Sequence, residues 1–253
     1  MKTLFCGVGE AFDENLPNTS ILVRAKNNGA TVMILLDCGF TAAPAYWRLV
    51  PDPLELDAVW ISHLHGDHFL GLPQLLIRIS EHGRSRPLQL GGGPDTFETV
   101  KKAMELAYPG KWDRLGFEII FEQAYPGAML QLAGVEAVAL PVEHAVPCLG
   151  IKFISGGKTL FYSGDGRLQQ DAWLELQGCD LAICEAFTLK GHTAGHNSAE
   201  QVASMVRTAD IRQAALVHMQ RGERRRHKDQ LQSFLHKEQV QGFMPEPGEA
   251  VEI

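Results

Sequence analysis

The segment Ser62-His63-Leu64-His65-Gly66-Asp67-His68 narrows what this chain can fold into more than any other. It crowds three imidazoles and a carboxylate into a few positions, directly after the run Leu56-Asp57-Ala58-Val59-Trp60-Ile61. The apolar, β-branched and aromatic content of that run predicts a strand. A fold that accepts this sequence must hold several titratable side chains together where a strand opens into a loop, and each is costly to bury unpaired. Borderline divalent metal ions resolve the conflict, because they take neutral imidazole nitrogen and carboxylate oxygen. His63 and His65 can converge on one ion across a tight turn, and Asp67 and His68 can reach a second. Gly66 lets the backbone bend between the two pairs.

Three other segments end an apolar strand in one metal-capable residue. Val135 to Val142 alternates and runs into Glu143-His144, Lys158 to Tyr162 runs into Ser163-Gly164-Asp165-Gly166, and Ala214 to Val217 runs into His218. Singly, His144 reads more simply as a turn histidine, Asp165 as a turn former and His218 as a strand-end residue. Together with the first cluster they complete two coordination spheres. His63, His65 and His144 would hold one ion, Asp67, His68 and His218 the other, and Asp165 would bridge them with one oxygen to each.

With these residues in order along nearly the whole chain, the sequence resembles the metallo-β-lactamase fold superfamily. Further segments narrow the resemblance to its ribonuclease Z-like branch of phosphodiesterases: Gly7-Val8-Gly9-Glu10 with Asn18-Thr19-Ser20, Asp37-Cys38-Gly39, Gly71-Leu72-Pro73, His144-Ala145-Val146-Pro147-Cys148-Leu149-Gly150, and Gly195-His196-Asn197-Ser198-Ala199-Glu200. The resemblance implies an α/β chain folded as a four-layer αββα sandwich, with residues 1–253 as a single domain. It also implies that His196 acts beside the metals in phosphodiester cleavage. Ribonuclease Z enzymes grip transfer RNA with a long Gly/Pro-rich arm, inserted in the bacterial type between the positions matching His144 and Asp165. Here only residues 145–164 lie between them, enough for a loop and strands. Gly166 stands where the branch usually has Thr, and Cys184 where it usually has His before Glu185.

Composition sets outer limits. A net charge of −7 argues against broad non-specific affinity for nucleic acid. No apolar stretch approaches the ~20 residues that span a membrane. The start Met1 to Cys6 has too short an apolar run for a signal peptide and reads as a first strand. Five cysteines without C-x-x-C spacing argue for a reducing, cytoplasmic setting rather than a disulfide framework.

Periodicity predicts strands at 31–36 and 179–183 and several between 117 and 140. It predicts helices at 70–80, after Asp95, at 171–176, from the capping box Ser198-Ala199-Glu200-Gln201, and at 228–237. Leu75, Leu76 and Ile79 could pair two copies as a homodimer or fill the core. The basic run Arg221, Arg224, Arg225, Arg226, Lys228 reads as a solvated face, with a phosphate clamp at the site's rim as the alternative.

The ligand set fixes the expected chemistry. Two divalent ions, best matched by Zn2+ with Mn2+ or Fe2+ also fitting, can share a water and generate hydroxide near neutral pH. Attack by that bridging hydroxide on a small or flexible phosphodiester (a cyclic nucleotide, cyclic phosphate or short oligonucleotide) is the favoured activity. His196 would protonate the leaving alkoxide, Asp67 would double as ligand and hydroxide orienter, and Glu185 would orient His196. The alternatives are a ribonuclease Z-type transfer RNA 3′ endonuclease, a lactone or thioester hydrolase, and a non-catalytic cofactor-pathway accessory protein.

Overall fold

Strands that are apolar on both faces must be covered on both sides. The computed structural model, which describes residues 1–253, meets this with two sheets packed face to face and helices outside each. The first sheet is laid down in chain order by β1 (Lys2–Gly7), β2 (Ser20–Asn27), β3 (Ala30–Leu36), β4 (Ala58–Ile61), β5 (Leu88–Gly92) and β6 (Ile119–Gln123). Its first three strands are antiparallel, and β3 through β6 run parallel.

The second sheet contains β7 (Met129–Leu132), β8 (Val135–Glu143), β9 (Cys148–Ser155), β10 (Lys158–Tyr162), β11 (Arg167–Leu168), β12 (Leu181–Glu185), β13 (Ala214–Val217) and β14 (Gly242–Phe243). Its order is β11-β8-β9-β10-β12-β13-β14, with β7 on β8. From β10 to β14 the pairs are parallel. A final strand, β15 (Ala250–Glu252), pairs with β1 in the first sheet.

Helices α1 (Ala42–Leu49), α2 (Gly66–Phe69), α3 (Leu72–Glu81) and α4 (Thr96–Ala107) belong to the first half, α5 (Ala199–Thr208) and α6 (Arg221–Lys237) to the second. Three separate apolar cores define four layers. One lies between the sheets, around Phe5, Trp60, Phe153 and Tyr162. A second packs Tyr46, Leu75, Leu76 and Ile79 against Val59 and Ile61, and a third packs Val202, Val206 and Leu235 against Phe161 and Leu216. The αββα sandwich is therefore observed, and Leu75, Leu76 and Ile79 fill the core. All five cysteines are buried and unpaired. No helix is long and apolar enough to cross a membrane.

The capping box forms as expected: Ser198 Oγ accepts from the Gln201 amide, and Gln201 Oε1 accepts from the Ser198 amide at 2.9 Å. A cap of this kind contributes about 0.5–2 kcal/mol, and here it fixes the chain just after His196. The segment 171–176 is a 3-10 helix, Gln170–Leu176. Two helical features differ from expectation. Helix α1 has no clear sequence signal, because Pro44 and three alanines blur its apolar spacing. Helix α6 begins at Arg221 rather than Lys228, because its first buried residue is Arg224.

Candidate metal centre

Every parallel strand near the middle of the two sheets ends at one edge of the sandwich, and the candidate residues sit there. Asp37 follows β3, Ser62 to His68 follow β4, His144 follows β8, Asp165 follows β10, Glu185 closes β12 and His218 follows β13. The carboxyl ends of strands are where α/β sheets bind ligands.

Asp37 anchors this edge. It is fully buried with a left-handed backbone, φ 58°. Its Oδ1 accepts the Ser62 amide at 2.8 Å, and its Oδ2 accepts Ser62 Oγ at 2.7 Å and Tyr162 OH at 2.6 Å. His68 Nδ1 lies 2.7 Å from the same Oδ2. A carboxylate can only accept, so His68 carries a proton on Nδ1 and points Nε2 into the site.

The same reasoning applies to the first cluster. His144 Nδ1 donates to the Gly195 carbonyl at 2.7 Å, which leaves its Nε2 a lone pair. Ser62 Oγ gives its proton to Asp37 and so accepts from His63 Nδ1 at 3.0 Å, leaving a lone pair on His63 Nε2. Both bare nitrogens face His65 Nδ1, at 3.2 Å from His63 and 3.1 Å from His144. One proton on His65 could satisfy only one of them. Two bare nitrogens and His65 Nδ1 gathered around one point suit a cation.

In the second cluster, His68 Nε2 has no hydrogen-bond partner and lies 3.2 Å from Asp67 Oδ2 and 3.3 Å from Asp165 Oδ2. His218 Nε2 lies 3.1 and 3.3 Å from the same two oxygens. Nitrogens about 2.0–2.1 Å from a tetrahedral zinc lie about 3.3–3.4 Å from one another, so both clusters already have the spacing of ligand sets. The donors fit a divalent metal. Asp165 Oδ2 also lies 4.0 Å from His63 Nε2. The expectation of one Asp165 oxygen for each ion is not met: the single oxygen Oδ2 faces both clusters.

The electrostatics of the two halves differ. Burial, joined by the neighbouring His68, holds His63 well below the usual histidine range, and burial with His144 lowers His65. At His68 burial opposes charge, but Asp165 and Asp37 outweigh it and raise the ring well above its usual value. His218 is raised to about 10 in the same way: burial opposes charge, while Asp165, the Asp67 contact and the nearby Glu185 carboxylate at 3.6 Å prevail. Burial likewise resists ionisation of Asp165 and Asp67, yet His218 and His68 hold both carboxylates low. His63 and His65 shed protons, whereas the second cluster draws in positive charge, as protons or as metal.

His196 stands beside both clusters with its side chain 23% exposed. Its Nδ1 lies 2.5 Å from Oε1 of Glu185, which is fully buried, and its ring stacks on Phe187 at 4.4 Å between centroids. The Glu185 hydrogen bond raises His196 above the usual histidine value, against the opposing effect of burial. Glu185 Oε2 accepts the amides of Gly166 and Asn197. Gly166 has φ 98°, and a Cβ there would lie 2.2 Å from the Glu143 carbonyl, so a threonine at this position would not fit. Cys184 is buried in the core beneath α5 and α6, one step along β12 from Glu185, so its side chain belongs to the helix-facing core.

The structure brings together every residue the sequence nominated: His63, His65, Asp67, His68, His144, Asp165, Glu185, His196 and His218. It adds three that were not nominated, Asp37, Tyr162 and Phe187. Only Asp37 left a trace in the sequence, as an acid closing an apolar strand. The basic run is ion-paired rather than free. Arg221 binds Glu10, Arg225 binds Glu14, Arg226 binds Glu223 and Lys228 binds Glu246. Arg224 is buried, donating to the Pro245 carbonyl and Glu246 at 3.0 Å each. Neither a fully solvated face nor a free phosphate clamp describes it.

A family model described as a beta-lactamase superfamily domain matches residues 33–219. Ribonuclease BN of Shigella boydii is 25% identical over 276 residues, covering 87% of this chain and 89% of its own. Among solved structures, the metallo-beta-lactamase fold protein YhfI from Bacillus subtilis superposes with a TM-score of 0.82 at 22% identity, covering 99% of each chain. The short form of human tRNase Z superposes with a TM-score of 0.79 at 20% identity, covering 100% of this chain and 99% of its own.

Proposed function

The chain belongs to the beta-lactamase superfamily of metallo-hydrolases, and from that premise we propose that it is a binuclear-metal phosphodiesterase. In this reading His63, His65 and His144 hold one divalent ion, Asp67, His68 and His218 hold the other, and Asp165 lies between them. The substrate is a small or flexible phosphodiester: a cyclic nucleotide, a cyclic phosphate or a short oligonucleotide. One observation carries the proposal. Lone pairs from separate strand ends converge as two clusters that share one carboxylate oxygen, with an imidazole held beside them by a buried carboxylate.

Zinc suits the imidazole and carboxylate donors, and manganese or iron would also be accepted. When bound, two such ions supply Lewis acidity and a water activated near neutral pH. The chain's own residues do the rest. Asp37, Ser62 and the Gly195 carbonyl fix the tautomers of His68, His63 and His144. Asp67 binds and orients the attacking water. His196, with Nδ1 committed to Glu185, presents Nε2 to the reacting centre and, when protonated, donates to the leaving alkoxide.

The preference for a small substrate follows from the chain between His144 and Asp165, which is used up by β9, β10 and their turns and leaves no arm there to grip a large RNA. The site draws donors from both sheets, which suits one domain over residues 1–253. Five unpaired cysteines suit a cytoplasmic location. A second reading, a ribonuclease with transfer RNA 3′ ends among its candidate substrates, takes its ribonuclease part from the match to Ribonuclease BN over most of the chain.

The test is steady-state hydrolysis of bis(p-nitrophenyl) phosphate by zinc- or manganese-loaded protein, with p-nitrophenyl esters and a precursor transfer RNA alongside. Metal-dependent diester turnover should fall by about 10²–10⁴-fold in His196→Ala with metal content retained. Turnover of esters alone, or of nothing, would overturn the phosphodiesterase reading.

A further inference from the structure

A cavity of about 470 Å³ adjoins the first cluster, with His63 in its wall. Its other walls come from Ser62 and Leu64, from the loop between β5 and α4, from Pro126 between β6 and β7, from the end of β8 and from the segment 146–149. Pro94, Pro126, Pro141 and Pro147 line it together with Val146 and Leu149. The surface is therefore apolar and stiff, since proline rings have little freedom to lose. No lysine or arginine lines the cavity, and the one charged residue in its wall is the acid Asp95. A second phosphate would find no cationic side chain there. Volumes of about 300–1,000 Å³ with apolar lining are typical of small-molecule sites.

A glycine supplies a second, independent observation. Gly91, Gly92 and Gly93 follow one another, and packing accounts for the first two. A Cβ on Gly91 would come within 2.9 Å of the Trp60 ring, and one on Gly92 within 2.6 Å of Thr96 Oγ1. Gly93 has no such reason. Its φ is not positive, and a Cβ there would meet only Leu149 Cδ1, at 3.9 Å. Both residues line the cavity. Glycine costs backbone entropy on folding, so a glycine that neither turn nor packing requires, standing in a cavity wall, preserves the space itself.

We propose that this cavity receives an uncharged, predominantly apolar organic group of the substrate, aryl or nucleoside, while its phosphoryl group sits at the two clusters. The assignment rests on the phosphodiesterase reading and extends it. His63 joins the two parts, because Nε2 faces the first cluster while the residue walls the cavity. The pocket then selects esters that carry a bulky apolar group over those that carry a methyl.

Three monoesters of equal charge test this by calorimetric titration of zinc-loaded protein: methyl phosphate, phenyl phosphate and thymidine 5′-monophosphate. Burying a phenyl group should make phenyl phosphate bind about tenfold or more tightly than methyl phosphate. The nucleotide arm tells whether a nucleoside shares the advantage. Val146→Trp and Gly93→Val fill the cavity from two different loops, and each should bring the phenyl-to-methyl ratio close to one. A ratio near one in the wild type, or one unmoved in both variants, overturns the pocket. A second readout needs neither metal nor phosphate: phenol should shift the methyl resonances of Val142, Val146 and Leu149, and no shift overturns the pocket. Phenol shifts without binding of any phosphate would instead sink the phosphodiesterase reading and leave the pocket standing.

Discussion

Asp37→Asn separates the charge at the hub of the site from its shape. Asparagine is among the residues that best tolerate the left-handed backbone found there, so backbone strain changes little. The amide can keep three of the four contacts by placing its oxygen where Oδ2 accepts from Ser62 Oγ, Tyr162 OH and His68 Nδ1. Its NH2 group then faces the Ser62 amide, donor against donor, at the position of Oδ1. One lost hydrogen bond with a buried unsatisfied donor costs about 1–3 kcal/mol. For a chain of this size that lowers the Tm of the metal-free protein by about 2–12 °C. His68 also loses the anionic acceptor that makes its Nε2 a better donor to metal. Loss of such an outer partner typically costs 10–100-fold in metal affinity, and the effect should fall on the cluster containing His68. Scanning fluorimetry gives the first number, and competition with a chromophoric zinc chelator, read as two binding steps, gives the second. A lowered Tm with both zinc affinities within twofold of wild type would refute the argument that Asp37 acts on the metal through His68.

The remaining expectations concern other parts of the edge. Glu185 raises His196, so Glu185→Gln should lower it; the protonated donor is then lost at lower pH, and the basic limb of the kcat profile moves toward acid. A limb that stays put or moves toward base counts against His196 as the proton donor. Asp165→Ala should abolish stable retention of both ions, measured by elemental analysis after desalting, because one oxygen faces both clusters; loss of a single ion would show that the carboxylate serves one site. Arg224→Met should cost about 1–3 kcal/mol by leaving the Pro245 carbonyl without its donor. Charge reversal of Arg225 and Arg226 should leave KM unchanged, and a KM that rises more at low salt would restore the phosphate clamp.

Legibility in the sequence tracked how local each signal is. The metal loop was readable because four ligand-type residues fall within one turn after a strand, a density that packing alone does not explain. His144, Asp165 and His218 became readable through the same strand-end position repeated in the second half. The role of Asp37 was hidden because three of its four contacts come from side chains 25 to 125 positions away. Phe187 was hidden because stacking on His196 depends on how the loop after β12 folds back. At α6, periodicity failed where a buried arginine takes an apolar position. The αββα layering came from the resemblance, since alternation alone also fits other α/β arrangements.

The donors of each cluster come from both sheets: His63 and His65 from the first and His144 from the second, Asp67 and His68 from the first and His218 from the second. Any ion held there fastens one sheet to the other across the edge of their shared core. At free metal concentrations 100 to 1,000 times a site's Kd, each ion adds about 2.7–4.1 kcal/mol to the folded state. Two ions then contribute on a scale with the whole stability of an ordinary domain, about 5–15 kcal/mol. Metal supply would in that case govern how long the chain survives proteases as well as how fast it turns over substrate, and a cell starved of the ion would lose the protein itself along with its activity.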